Sequence, residues 1–160
     1  MLLVSVLIVA GCGSSKAGSP ASAGGGSNTV HLAKTKFVIH TGLAFGAFHR
    51  WIYKPFRNGD FSHPFSHKLT IVKAALAGGF VLHEIRLARN DAAHSRLLSR
   101  VVLPLLGLYG TIQLIRGALS HHQAPNGADV SRANSQVGSA ESASKSAGQP
   151  ITETTAGAHL

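Results

Sequence analysis

The chain is poor in acid and nearly free of sulfur. It sets 6 Asp and Glu against 15 Lys and Arg, and it holds 1 Cys and 1 Met. A single cysteine excludes an intramolecular disulfide. The acids of the central region, Asp60, Glu84 and Asp91, are too scattered to predict a carboxylate pair for acid/base chemistry. There is no G-x-S-x-G, no H-E-x-x-H, no C-x-x-C and no phosphate-binding glycine loop. These absences leave no nucleophile, zincin or nucleotide signature, and a non-enzymatic protein is expected. Long apolar runs are also lacking, since a spanning helix needs about 20 apolar residues.

What is present begins with "MLLVSVLIVAGC". The run has the length of a signal h-region, roughly 7–15 residues, and small residues precede Cys12. This "VAGC" resembles the lipobox of bacterial lipoproteins, although no Lys or Arg opens the run as such signals usually require. The resemblance implies cleavage before Cys12 and a covalent diacylglycerol on its thiol. It also implies a chain anchored on the extracytoplasmic face of the cell membrane. Two or more acyl chains hold firmly where one holds weakly. The chain then divides into a signal over 1–11, a Gly/Ser-rich tether over 12–29, a core over 30–120 and a tail over 121–160. The tether's composition predicts a flexible segment, and the Ser/Ala/Gly-rich tail shows no obvious apolar period and predicts disorder.

The core contains three apolar segments. In the first, residues 34–53, Val38, Thr41, Phe45, Phe48 and Ile52 recur at spacings of three and four, which predicts an amphipathic helix stopped by Pro55. Asn58-Gly59 signals a turn, and Ser66 is a candidate cap for the next helix. In the second, residues 67–90, the apolar line runs through Leu69, Val72, Leu76, Phe80, His83 and Leu87. In the third, residues 93–119, no charge falls between Val101 and Ile115, and Pro104 predicts a kink. The fold class expected is all-α. The core is a small antiparallel three-helix bundle or helical hairpin between a disordered tether and a disordered tail. The segment "FVIHTGLAFGAFHRWIYKPF" also looks like segments of actinobacterial predicted lipoproteins, a resemblance that carries no activity.

Simple magnitudes address the membrane. In the second segment each strongly apolar residue gains roughly 0.3–0.6 kcal/mol at a bilayer centre, against roughly 2.5–3.5 lost for each central charge. Lys73, Glu84 and Arg86 outweigh that gain. The expectation is a bundle resting at the membrane surface, with a partly embedded helical-hairpin accessory protein as the alternative. Gly42 and Gly46 form a G-x-x-x-G pair, and Gly78 and Gly79 continue the small-residue spacing begun by Ala74 and Ala75. All four glycines are candidates for close helix packing.

The formal net charge is +9, and the core carries it: Lys and Arg outnumber Asp and Glu twelve to three between residues 30 and 119. Such a bias points to anionic partners. For an exported chain these are anionic membrane lipid or a membrane protein, not nucleic acid. Lys54, Arg57 and Lys68 with Phe56, Phe61 and Phe65 form a basic, aromatic connection suited to an interface. A second reading uses the core histidines. If the first two helices are antiparallel, His40 lies level with His83 and Glu84, a candidate site for metal or haem. The expectation is that no cofactor beyond the lipid is bound.

Overall fold

A computed structural model describes residues 25–63 and 66–158, and side chains from residue 31. The signal run, Cys12, the tether up to residue 24 and Phe65 lie outside the described residues. Among the described residues every regular element is helical. Helix α1 spans Gly25–Phe48, so it starts inside the expected tether. It runs without a break into a π-helical turn, His49–Tyr53, and then into α2, Lys54–Arg57. Helix α3 spans Lys68–Ala93. A 3-10 turn at Arg96–Leu98 leads into α4, Ser99–Ser120, and α5 spans Gly127–Ser146. Successive long helices are packing neighbours: α1 on α3, α3 on α4, α4 on α5.

The first rod buries Thr41, Phe45, Phe48 and Ile52 of its expected line, but Val38 is only partly buried and the buried face extends to Phe37, Ala44 and Ala47. Thr41 avoids a buried unpaired hydroxyl by donating to the Phe37 carbonyl at 2.6 Å. Pro55 does not end the rod. In the π turn the Lys54 N–H donates to the His49 carbonyl, one residue further back than an α-helix allows. That offset eases the clash a proline ring makes with the preceding turn, and the rod continues to Arg57. Gly59, at φ 78°, makes the turn expected of Asn58-Gly59. The cap of α3 is His67, without a side-chain bond, and not Ser66.

Leu98 of the 3-10 turn and Val101, Leu105, Leu108, Ile112, Ile115 and Leu119 of α4 are buried. These alternate spacings of three and four, the seam of a left-handed helix pair. The helix passes unbroken through Pro104. The carbonyl that Pro104 leaves without its usual donor belongs to Arg100, near the helix start and exposed, where water can satisfy it.

Two sequence expectations are corrected. The bundle has four helices, not three, because the supposed disordered tail contains α5. Asn126 caps α5 by accepting the Ala128 N–H at 2.8 Å, and Asp129 and Lys145 complement the helix dipole at its two ends. Val130, Ala133, Val137, Ala140 and Ser144 face α4 at helical spacing. Ala and Ser carry little hydropathy, so this face gave no apolar signal. The second correction is the orientation of α3. Its core face is Ile71, Ala74, Ala77, Gly78, Val81, Ile85, Ala88 and Ala92. The line expected to be apolar lies on the other side: Leu69 is 68 % exposed, and Val72, Leu76 and His83 are exposed as well.

Past α5 the chain reverses at Gly148, φ 72°, where the Gln149 N–H donates to the Ser144 carbonyl at 2.9 Å. The residues that follow lie across α1.

Candidate functional site

His49 sits in the π turn and joins three parts of the molecule. Its Nδ1 pairs with Glu153 Oε1 at 2.7 Å, from the C-terminal segment, and its Nε2 pairs with Asn134 Oδ1 at 2.9 Å, from α5. With the Glu153 carboxylate on one ring nitrogen and the Asn134 amide on the other, the surroundings favour the protonated ring. The hydrogen bond to Glu153 holds the His49 pKa above its usual 6.5. Burial opposes this, Asn134 supports it, and the charges of Glu153 and Glu141 add to it. Burial raises the carboxyl of Glu141, as does Glu153 beside it, while His49 lowers it. A cleft of about 330 Å³ opens beside the histidine, lined by Gly46, Arg50, Lys54, Glu153, Thr154 and Thr155. No residue of this cluster other than Gly46 and Lys54 was singled out from the sequence. Only the pairing across 104 positions makes it a cluster.

The expected histidine site is half assembled. His40 Nδ1 donates to Glu84 Oε2 at 2.6 Å, and Glu84 is only 6 % exposed. His83, on the same helix as Glu84, turns outward. Asp91 comes within 3.8 Å of His40 Nε2 instead. Burial raises the Asp91 carboxyl above its usual 3.8, against the pull of His40, Lys36 and His94. Among the described residues no three His, Cys, Asp or Glu side chains are arranged to hold a metal ion. The local chemistry is a buried, hydrogen-bonded tie between α1 and α3.

The basic connection is only partly exposed. Lys54, Arg57 and Lys68 face solvent. Phe61 is 2 % exposed and belongs to the core, so it is not free to contact an interface. Phe56 packs against the core and touches Gly127, where a Cβ would lie 3.2 Å from its ring. The glycine pairs also separate by role. Gly78 and Gly79 admit the Arg116 side chain of α4, whose Cβ lies 3.1 Å from a Cβ placed on Gly78. Gly42 and Gly46 receive no helix. The backbone of Thr152 and Thr154 lies on them, and the Thr154 N–H donates to the Gly42 carbonyl at 3.0 Å.

Large apolar side chains are exposed on three of the long helices and not on the fourth. On α1, Leu32 and Ile39 are exposed. On α3, Leu69, Val72 and Leu76 are exposed. Around α4, Leu97, Leu103, Leu106 and Leu114 are exposed, Leu103 by 75 %. On α5 the exposed positions include Ser131, Arg132, Ser135, Gly138, Ser139, Ser142, Lys145 and Ser146, with no large apolar residue. Sequence reasoning missed this face because it placed the α3 leucines inside. The small size of Ala74, Ala77 and Ala88 against Leu69 and Leu76 was the available signal. No protein family, curated protein or solved structure matches the chain.

Proposed function

We propose that this is a non-enzymatic envelope protein, tethered through lipid on Cys12, whose bundle docks on an anionic lipid surface through α1, α3 and α4. One observation carries the reading: α3 turns Leu69, Val72 and Leu76 outward while alanine and glycine share its buried face with Ile71, Val81 and Ile85. In water the larger side chains gain by going inside, roughly 1.5–3 kcal/mol for a fully buried leucine. In lipid that gain is absent, and small residues take the helix interfaces because they allow close packing. The exposed leucines of consecutive neighbouring helices form an apolar surface larger than scattered leucines would. The charge supports an anionic target, with Lys54, Arg57 and Lys68 exposed beside the bundle. Each Lys or Arg near such a surface contributes about 1 kcal/mol. The serine face of α5 stays in water.

The test is flotation of the Cys12→Ser chain with vesicles of phosphatidylglycerol and phosphatidylcholine, against phosphatidylcholine alone. The unacylated protein should float with anionic vesicles only, and raised salt should weaken it. Leu103→Glu combined with Leu76→Glu should abolish binding while leaving the helical circular dichroism unchanged. Failure of the folded chain to bind any vesicle would remove the reading. Fatty-acid labelling that is present in the wild type and lost in Cys12→Ser tests the anchor separately.

A second reading, an integral hairpin, rests on Arg96–Ser120. This helical segment is long and apolar enough to cross a membrane, with 39 % of its apolar window buried. Retention of Cys12→Ser in carbonate-washed native membranes would favour it over surface docking.

A further inference from the structure

The C-terminal segment lies on α1 through its backbone at Gly42 and Gly46 and through one ion pair to a titrating side chain. Gly148 turns the chain out of α5 and residues 149–158 continue without helix or strand. Their backbone fills the groove over Gly42 and Gly46 so closely that a Cβ on Gly46 would stand 2.7 Å from the Thr154 carbonyl carbon. One backbone hydrogen bond, Thr154 to Gly42, links the segment to the rod. The one side-chain hydrogen bond or ion pair from this segment to α1 or the π turn, among the described residues, is Glu153 to His49.

We propose that residues 149–158 are a pH-gated strap, clasped over the Gly42–Gly46 groove by the charged His49–Glu153 pair and released when His49 loses its proton. The proposal is independent of membrane docking. The groups facing His49 are Glu153 from the strap, Asn134 and Glu141 from α5, Tyr53 edge-on from the same π turn, and Arg50 and Lys54 along the cleft. A neutral imidazole keeps only one N–H, so it cannot donate to Glu153 and Asn134 together. It also removes the imidazolium charge beside the adjoining carboxyls of Glu153 and Glu141. A base whose folded pKa is raised contributes stability that is complete below its unfolded value, near 6.5, and is lost as pH rises through the raised value. The strap is therefore closed in mild acid and opens toward alkaline pH. Gly148 supplies the hinge, since its left-handed backbone is tolerated without strain. Opening uncovers the two glycines.

Amide hydrogen exchange on the full-length chain between pH 6 and 9, corrected for intrinsic rates, reads this directly. The reporter is the Thr154 amide, with α4 amides as the reference for global opening. In wild type the Thr154 protection should fall several-fold with rising pH while α4 stays protected. His49→Gln should leave Thr154 unprotected at every pH, and Glu153→Gln should flatten the pH profile. Gly46→Val, which removes no titrating group, should release the strap at all pH values and leave α4 protected. The proposal is overturned if wild-type Thr154 protection is independent of pH. It is equally overturned if His49→Gln keeps the wild-type profile, or if α4 opens in parallel with the strap.

Discussion

At the scale of single residues, two titrating groups act on stability with the same pH sense. His49 is a base held charged, so its contribution fades as pH rises. Asp91 is a carboxyl raised by burial, and such a group withdraws stability as pH climbs from its unfolded value, 3.8, through the folded one. Asp91 Oδ2 is buried and makes no hydrogen bond, which is the physical source of that penalty. Asp91→Asn keeps the shape and removes the charge. Its melting temperature at pH 7 should exceed that of wild type, and the difference should close toward pH 3. A lower melting temperature at pH 7 would mean that attraction to His40 outweighs burial. Glu84 is the contrasting case, a carboxylate whose burial is compensated by the short bond from His40.

At the scale of helices, α3 has an inverted face. Ala77→Leu should destabilise by about 1–3 kcal/mol, because a well-packed interface cannot absorb the added volume without strain. Leu76→Ser, one position away, should change stability by no more than about 0.5 kcal/mol in the absence of lipid. Urea unfolding of both variants checks the orientation, since the opposite ranking would place Leu76 inside. The sequence made some helices legible and hid others for definite reasons. In α1 the Phe37, Thr41, Phe45 and Phe48 period is strong because the buried side chains are large. Helix α5 was illegible because the same period is written in Ala, Val and Ser. Pro55 misled because a single π turn absorbs it, and no sequence pattern announces a π turn. His40 beside Glu84 was legible from antiparallel register. The His49 cluster was not, because its partners come from a stretch whose composition resembles a linker.

At the scale of the whole molecule, the four helices follow one another in space as they do in sequence. This order makes the three helices with exposed leucines consecutive neighbours and leaves the serine-rich α5 at one end of the series. It also governs how the chain assembles. Helix pairs adjacent in sequence form local contacts, which are rapid to reach. The clasp between His49 and Glu153 joins residues 104 apart, and closing such a loop from an open chain costs about 4 kcal/mol in the flexible limit. Docking α5 first reduces that search to the few residues after Gly148. Pulse-labelled refolding should therefore protect the α4 amides before the Thr154 amide, and simultaneous protection would contradict this order. The closing step is the one that forms the His49–Glu153 ion pair. The slowest refolding phase should thus be the one most slowed by rising pH, making the order of assembly readable from solution acidity.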